Sequence, residues 1–290
     1  MLLKDFLREG AARLEPLYLP AEAKNIMLML CEERIGTRNY THLVEPGFTI
    51  NDNSVGTLMA DLERLASGEP IQYVLGYTEF CGLRFRVTPD VLIPRPETEL
   101  MCRWAIEEGS RFQNPVRILD LCTGSGCIAW TLALSIPGAE VIAIDISEQA
   151  LQVAKSQEFS SLLEEKGARA PEFMLADVLG DIILPEPDRF DRILSNPPYI
   201  LESQKKDMRP NVLDYEPSCA LFVPDEDPLL FYRAIARWSR RLLAPDGKGM
   251  TEINELFGAA TKQVFLEAGF DTVEGVKDFY GKDRFVFYSR

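Results

Sequence analysis

A seven-stranded, doubly wound α/β sheet of Rossmann-like type, preceded by a small N-terminal helical domain, is the fold that this 290-residue sequence predicts. Three observations predict it. The first 66 residues carry apolar stripes at helical spacing, and Gly68, Glu69 and Pro70 break the pattern. Beyond residue 96, short apolar runs alternate with helical segments, the signature of a mostly parallel sheet. A glycine-containing turn, TGSG, lies between the first of those runs and a helix, which is where open α/β sheets bind ligands.

In chain order, Leu2, Leu3, Phe6, Leu7 and Leu14 share one helix face. After Pro20, Ala23, Ile26, Met27, Leu30 and Cys31 form a second stripe, and from Ser54 to Ala66 Leu58, Met59, Leu62 and Leu65 form a third. These stripes predict the core of a helical domain over residues 1–73, with nothing catalytic in it. Residues 74–96 connect it to the rest. Alternation from Tyr77 to Val87 around Cys81 and Gly82 predicts a β-hairpin, and VLIPRPETE follows with two rigid prolines, Pro94 and Pro96, before a helix opening at Glu97 to Glu99. Residues 97–290 hold the sheet. Its strands are expected at Arg117 to Leu121, Glu140 to Asp145, Glu172 to Leu175, Phe190 to Ser195, Lys248 to Ile253, Asp271 to Val276 and Arg284 to Tyr288.

Composition narrows the function. With 46% hydrophobic and 26% charged residues and no apolar run long enough to span a bilayer, the chain reads as a globular protein with no membrane partner. In MLLKDFLREGAARL, Asp5, Arg8, Glu9 and Arg13 interrupt the apolar positions, so no secretory signal is expected and the chain is assigned to the cytoplasm. A net charge of −14 repels a phosphate backbone, so nucleic acid is not the expected partner. Cys31, Cys81, Cys102, Cys122, Cys127 and Cys219 are scattered without a CxxC pair, and His42 is the single histidine. No metal site is expected; the cysteines read as free buried thiols and His42 as a partly exposed loop or helix-end residue.

In RILDLCTGSGCIAWTLA, Gly124 and Gly126 allow a sharp turn and close approach to a ligand, and the helix opening near Ile128 offers N–H donors to an anionic group. Asp145 ends the next strand, at the distance of an acid that accepts both hydroxyls of a ribose. Asp177, in EFMLADVL, ends the third, where a carboxylate accepts from an adenine amino group. Each acid has a second reading as a helix cap, for which Ser147 competes after Asp145.

The fourth strand ends in ILSNPPYI. Asn196 supplies a side-chain carbonyl, Pro197 and Pro198 fix the backbone and lack N–H groups, and Tyr199 supplies a planar ring. That set suits a planar NH2 group. An amide nitrogen is a poor nucleophile because its lone pair is delocalised into the carbonyl. If the Asn196 side-chain oxygen and the Pro197 main-chain oxygen each accept one N–H, they favour pyramidal nitrogen and free its lone pair, while Tyr199 holds the plane. No strong base is needed first. In isolation NPPY would be a rigid turn; its place after the glycine turn and two strand-end acids argues for chemistry.

The sequence resembles the release factor glutamine methyltransferase family, also called PrmC or HemK, over nearly its whole length. The resemblance is carried by the helical N-terminal domain, the linker EPIQYVLGYTEFCGLRFRVTPDVLIPRPETE, DLCTGSG, Asp145, Asp177, NPPYI, YEPSCALF and EIN. It implies a methyltransferase sheet that uses S-adenosylmethionine, leaving S-adenosylhomocysteine, and a substrate that is the Gly-Gly-Gln glutamine of peptide-chain release factors, methylated on N5. It further implies that Cys122, Thr123, Gly124, Ser125, Gly126, Asp145, Val178 and Asn196 line the cofactor, that Asn196 to Tyr199 hold the glutamine, and that Arg95 and Glu97 either close the pocket or form an ion-paired linker.

Two departures stand out. Methyltransferases of this fold commonly carry glycine where Cys122 stands, and because cysteine resists positive φ, Cys122 is expected to be extended with its thiol turned from the ligand; a redox-sensing thiol is the alternative. The other departure is ALFVPDEDPLL, where many relatives have a glycine-containing turn. Three rival readings share parts of this pattern: an adenine amine on DNA, which would require base flipping and phosphate grip, a ribosomal-protein glutamine, and a catalytically silent binding module.

Overall fold

The computed structural model describes residues 1–109, 115–181, 184 and 189–290. They form two compact units, Met1–Tyr77 with Arg209–Tyr215, and Thr78–Met208 with Glu216–Arg290. Among the described residues no helix is long and apolar enough to cross a membrane.

The first unit is helical: α1 (Leu3–Leu14), α2 (Pro20–Ile35), α3 (Thr41–Val44), α4 (Asp52–Ala66) and α5 (Ile71–Leu75). Pro20 opens α2 at a position where its missing N–H costs nothing, and Gly36 ends that helix at φ +69. Asn51 caps α4 by accepting the Asn53 N–H at 3.0 Å. Leu3, Phe6, Leu14, Met27, Leu30, Leu58, Leu62 and Leu65 make the core, so all three stripes point inward; Leu2 and Met59 sit at its edge. Half-buried His42 lies in α3. Arg209–Tyr215, which includes α10 (Pro210–Leu213), belongs here too: Arg209 pairs with Glu22 at 2.8 Å and the Tyr215 hydroxyl donates to the Ser67 carbonyl at 2.9 Å.

The second unit opens with a two-stranded sheet, β1 (Tyr77–Phe80) and β2 (Leu83–Arg86), whose Phe80 and Phe85 enter a core of this unit. The main sheet comprises β3 (Arg117–Leu121), β4 (Glu140–Asp145), β5 (Glu172–Leu175), β6 (Phe190–Ser195), β9 (Leu243–Glu252), β10 (Thr272–Lys277) and β11 (Asp283–Ser289). Its order is β10-β11-β9-β6-β3-β4-β5, with β11 antiparallel to both neighbours. A short parallel pair, β7 (Ile200–Leu201) and β8 (Phe222–Val223), lies outside it. The helices are α6 (Thr98–Gly109), α7 (Cys127–Ser135), α8 (Glu148–Lys155), α9 (Ser160–Lys166), α11 (Ser218–Leu221), α12 (Leu230–Leu242) and α13 (Gly258–Glu267). The sheet is buried on both faces. Ile118, Leu194 and Met250 join one core with residues of α6 and α7, whereas Leu119, Leu121 and Ile193 join the other with residues of α12 and Phe265 of α13.

The strands β3 to β6 occupy the ranges their apolar runs predict. β9 begins earlier than expected, because Leu243 pairs with Phe190 and the register shifts before Lys248 meets Arg192. The turn-like APDG is thereby taken up in a strand irregularity instead of a loop. From β3 the chain builds outward through β4 and β5 on one side, and β6 and β9 lie on the other. The order therefore reverses between β3 and β6, and a crevice opens at their carboxyl ends.

Gly249 faces Tyr288 across β9 and β11. The Tyr288 ring is fully buried, stacks on Phe265 at 4.2 Å and shares a hydrogen bond with Ser239 at 2.8 Å, and a Cβ on residue 249 would stand 2.2 Å from it. Gly249→Ala should cost about 1–3 kcal/mol through overpacking, read as a lower urea midpoint. An unchanged midpoint would refute this account of the glycine.

Candidate active site

The crevice is floored by the turn from β3 to α7. Cys122, Gly124 and Gly126 have φ of +63, +54 and +79. The Thr123 N–H donates to the Ile144 carbonyl at 3.0 Å, the Gly124 N–H to Asp145 Oδ2 at 2.8 Å, and Thr123 Oγ1 to Asp120 Oδ2 at 2.6 Å. These bonds fix the turn, and they overturn the expectation of an extended Cys122. The cysteine takes the left-handed conformation a glycine would take, at a cost of about 1–2 kcal/mol, because its neighbours are held on both sides. It lines the cavity. Burial pushes its thiol well above the ordinary cysteine range, so it is a neutral group and not a reactive thiolate.

Gly126 has a different part. It does not line the cavity; a Cβ there would lie 3.1 Å from Ala154 and from Trp130 and 3.2 Å from Phe173, so glycine is what permits close packing beneath the turn. Asp120, not singled out by its position in the sequence, is the turn's anchor. It is fully buried, and its Oδ1 has no partner among the described residues.

At the end of β4, Asp145 accepts the Gly124 N–H through Oδ2 and the Ser147 N–H through Oδ1 at 2.9 Å. Ser147 itself caps α8, its Oγ accepting the Ala150 N–H at 3.1 Å. Capping is thus the serine's role, and Asp145 links the two loops at the cavity wall. Beyond β5, exposed Asp177 accepts the Leu179 N–H at 2.8 Å, and the Val178 carbonyl accepts the Trp238 indole N–H at 2.9 Å.

Asn196 follows β6 directly. Its Nδ2 donates to Thr98 Oγ1 at 3.2 Å, Thr98 Oγ1 donates to Glu252 Oε2 at 2.7 Å, and the Tyr199 hydroxyl donates to Glu252 Oε1 at 2.9 Å. Burial, then the Glu252 charge, pushes the Tyr199 hydroxyl well above its ordinary range and keeps it a donor. With Nδ2 engaged, Asn196 Oδ1 is free of protein partners among the described residues. Arg95 pairs with buried Glu216 at 2.6 Å, which also accepts the Ile93 N–H at 3.1 Å. Arg95 is therefore an ion-paired linker residue that also lines the cavity.

The cavity encloses about 370 Å³. It brings together Cys122, Thr123, Gly124, Ser125, Asp145, Asp177, Val178, Asn196 and Pro198 from the sequence-derived set, and leaves Pro197 and Tyr199 outside its lining. The sequence did not suggest Cys219, Ala220, Phe222, Pro224 and Leu230 as wall residues, although they come from YEPSCALF and the divergent ALFVPDEDPLL, nor Phe231, which follows directly. Cys219 is exposed, unlike the buried thiol expected of it. Among the described residues no His, Cys, Asp and Glu cluster could hold a metal. A glycine-turned loop, two strand-end acids and largely apolar walls fit a nucleoside with a charged tail, and a free amide oxygen beside it fits an N–H donor.

Residues 109–213 match the family described as Methyltransferase small domain, and residues 5–76 the PrmC N-terminal domain. A Release factor glutamine methyltransferase of Bacteroides thetaiotaomicron is 39% identical over 96% of each chain, and one of Flavobacterium psychrophilum is 35% identical over 99% of this chain and 98% of its own. Among solved structures, the delta-N METTL16 MTase domain shares the fold with a TM-score of 0.50, at 16% identity, covering 72% of this chain and 89% of that one.

Burial is the main cause that raises the Asp120 carboxyl from 3.8 to about 7, against the bond donated by Thr123. A carboxyl raised on folding favours the folded state fully below the unfolded value, and that contribution is lost as pH climbs to the folded value. Asp120→Asn has no such proton to lose. Its stability relative to the parent chain should rise across that window and level off above it, as read from urea unfolding at several pH values; a constant difference would count against the buried-acid assignment.

Proposed function

The chain belongs to the release factor glutamine methyltransferase family, and we propose that it transfers a methyl group from S-adenosylmethionine to N5 of the glutamine in the Gly-Gly-Gln motif of peptide-chain release factors, acting in the cytoplasm. The observation that carries this reading is the Asn196 amide in the cavity lining, with its NH2 tied to Thr98 and its oxygen without a protein partner among the described residues. The cavity suits the cofactor: Cys122, Thr123, Gly124, Ser125 and Gly126 form or support the turn, and Asp145, Asp177, Val178 and Asn196 complete the wall that would hold it. When bound, S-adenosylmethionine supplies an electrophilic methyl group on a sulfonium sulfur.

The protein's own task is to make an amide nitrogen nucleophilic. Asn196 Oδ1 and the Pro197 carbonyl accept the two N–H bonds of the glutamine NH2, which draws the nitrogen lone pair out of conjugation with its carbonyl. Pro197 and Pro198 hold those acceptors rigidly, since neither can donate and both have restricted φ. Tyr199, outside the cavity lining, is anchored by its hydroxyl on Glu252 and helps to hold the NPPY segment in place. The extra proton leaves to solvent after transfer, so no histidine base is required. A net charge of −14 supports a protein over a nucleic acid as the substrate.

Incubation with a release factor and S-adenosylmethionine, followed by mass spectrometry, should show one added methyl on the glutamine peptide. Asn196→Ala should still bind the cofactor and lose turnover by roughly 100-fold, the scale of one preorganised hydrogen-bond partner in a transition state. An unmodified glutamine, or undiminished turnover in the variant, would overturn the assignment.

A further inference from the structure

Glu252 ends β9 inside the protein, only 1% exposed. It touches no reacting group, yet it receives two hydrogen bonds from the site: Thr98 Oγ1 on one oxygen and the Tyr199 hydroxyl on the other. Its carboxyl lies above the ordinary value, with burial the main cause and those two bonds and the nearby Arg284 guanidinium acting against it. Both of its oxygens accept in the structure. Acting as an acceptor, it sets the direction of the two hydrogen bonds that reach it.

The consequence passes along a chain. Thr98 opens α6, is 2% exposed, and owns a single hydroxyl proton. Given to Glu252, that proton cannot also go to Asn196, so Thr98 presents only lone pairs to its other neighbour. Asn196 then satisfies Thr98 with its NH2 and leaves its carbonyl oxygen without a protein partner among the described residues, in a side chain that lines the cavity. If the group at position 252 could donate to Thr98, the threonine proton would be released to point at Asn196, and the amide would gain by rotating 180°. The cavity would then face an NH2 where the substrate's own NH2 needs an acceptor.

We propose that Glu252 is a positioning residue that acts through Thr98 to fix which atom of the Asn196 amide faces the cavity, while anchoring Tyr199 directly. The proposal rests on the glutamine reading in that it requires an acceptor at Asn196. Thr98 and Glu252 stand 154 positions apart in sequence, so only the fold unites them with NPPY.

The test compares Glu252→Gln, Thr98→Val, Thr98→Ser and the double variant Glu252→Gln/Thr98→Val in the full chain, with a release factor as substrate. Glu252→Gln and Thr98→Val should each lower kcat by about tenfold or more, the scale of one misdirected hydrogen bond, with the release-factor KM and S-adenosylmethionine affinity within about twofold of the parent. Thr98→Ser, which keeps the hydroxyl, should recover most of the turnover that Thr98→Val loses. The double variant should be no slower than the slower single, because both break the same chain of bonds. Losses that multiply, that fall on KM or cofactor affinity, or that Thr98→Ser fails to rescue would overturn the proposal. Should Glu252→Gln fail to fold, the Thr98 pair decides. The parent chain separates the two ideas: no methylated glutamine from it sinks the functional reading, whereas normal methylation with kcat unaffected in Glu252→Gln or Thr98→Val sinks the relay alone.

Discussion

Ile118 to Leu121 of β3 run in parallel with Arg192 to Ser195 of β6, and the site exists because of that ladder. The chain leaves β3 toward one edge of the sheet and reaches the other half only after β5, so two distant stretches are forced to end side by side. Ser195 seals the junction by donating to the Leu121 carbonyl at 2.9 Å. One residue past each strand end stand Cys122 and Asn196. A slip of the register by one residue would turn the alternating apolar side chains to the wrong faces, and would separate the turn from the amide at the same time. Packing on both faces of the sheet thus enforces the same register that the chemistry needs.

Polar groups buried around that junction are stable because they are connected. Removing Glu252 from water carries a penalty that lone burial would not recover, and the structure offsets it with two donated hydroxyl bonds and a nearby guanidinium. Asp120 accepts the Thr123 hydroxyl on one oxygen, and burial is the main cause of its raised carboxyl value. Burial raises both carboxyls, and the bonds each one accepts work against that rise.

Much of this architecture could be read from residues near one another. The strands β3 to β6 follow uninterrupted apolar runs, and the three helical stripes point to the core they suggested, because periodicity is a local property of the chain. NPPY was legible for the same reason, as four consecutive residues at a strand end. What escaped was non-local or decided by tertiary bonds. Nothing near Thr98 announces that it meets Asn196, and nothing near Glu252 announces Thr98. Cys122 was misread because intrinsic φ preference favours an extended cysteine, while the bonds to Ile144 and Asp145 from the residues that follow it impose the turn. The strand expected from Lys248 starts earlier because pairing of Leu243 with Phe190 draws APDG, a run of turn-forming residue types, into β9. Cys219 and its neighbours became cavity wall only when the segment after NPPY folded back.

Arg209–Tyr215 packs within the helical unit although it is encoded long after that unit's own helices. A nascent chain leaving the ribosome therefore exposes a finished set of stripes but lacks the segment whose Arg209 and Tyr215 engage Glu22 and Ser67. The amino-terminal piece can condense early, but it receives its last segment only after translation has passed the ends of β3 and β6. Vectorial synthesis in this way ties the amino-terminal unit to a segment made only after the Asn196 strand end, and a chain terminated before Arg209 lacks that segment.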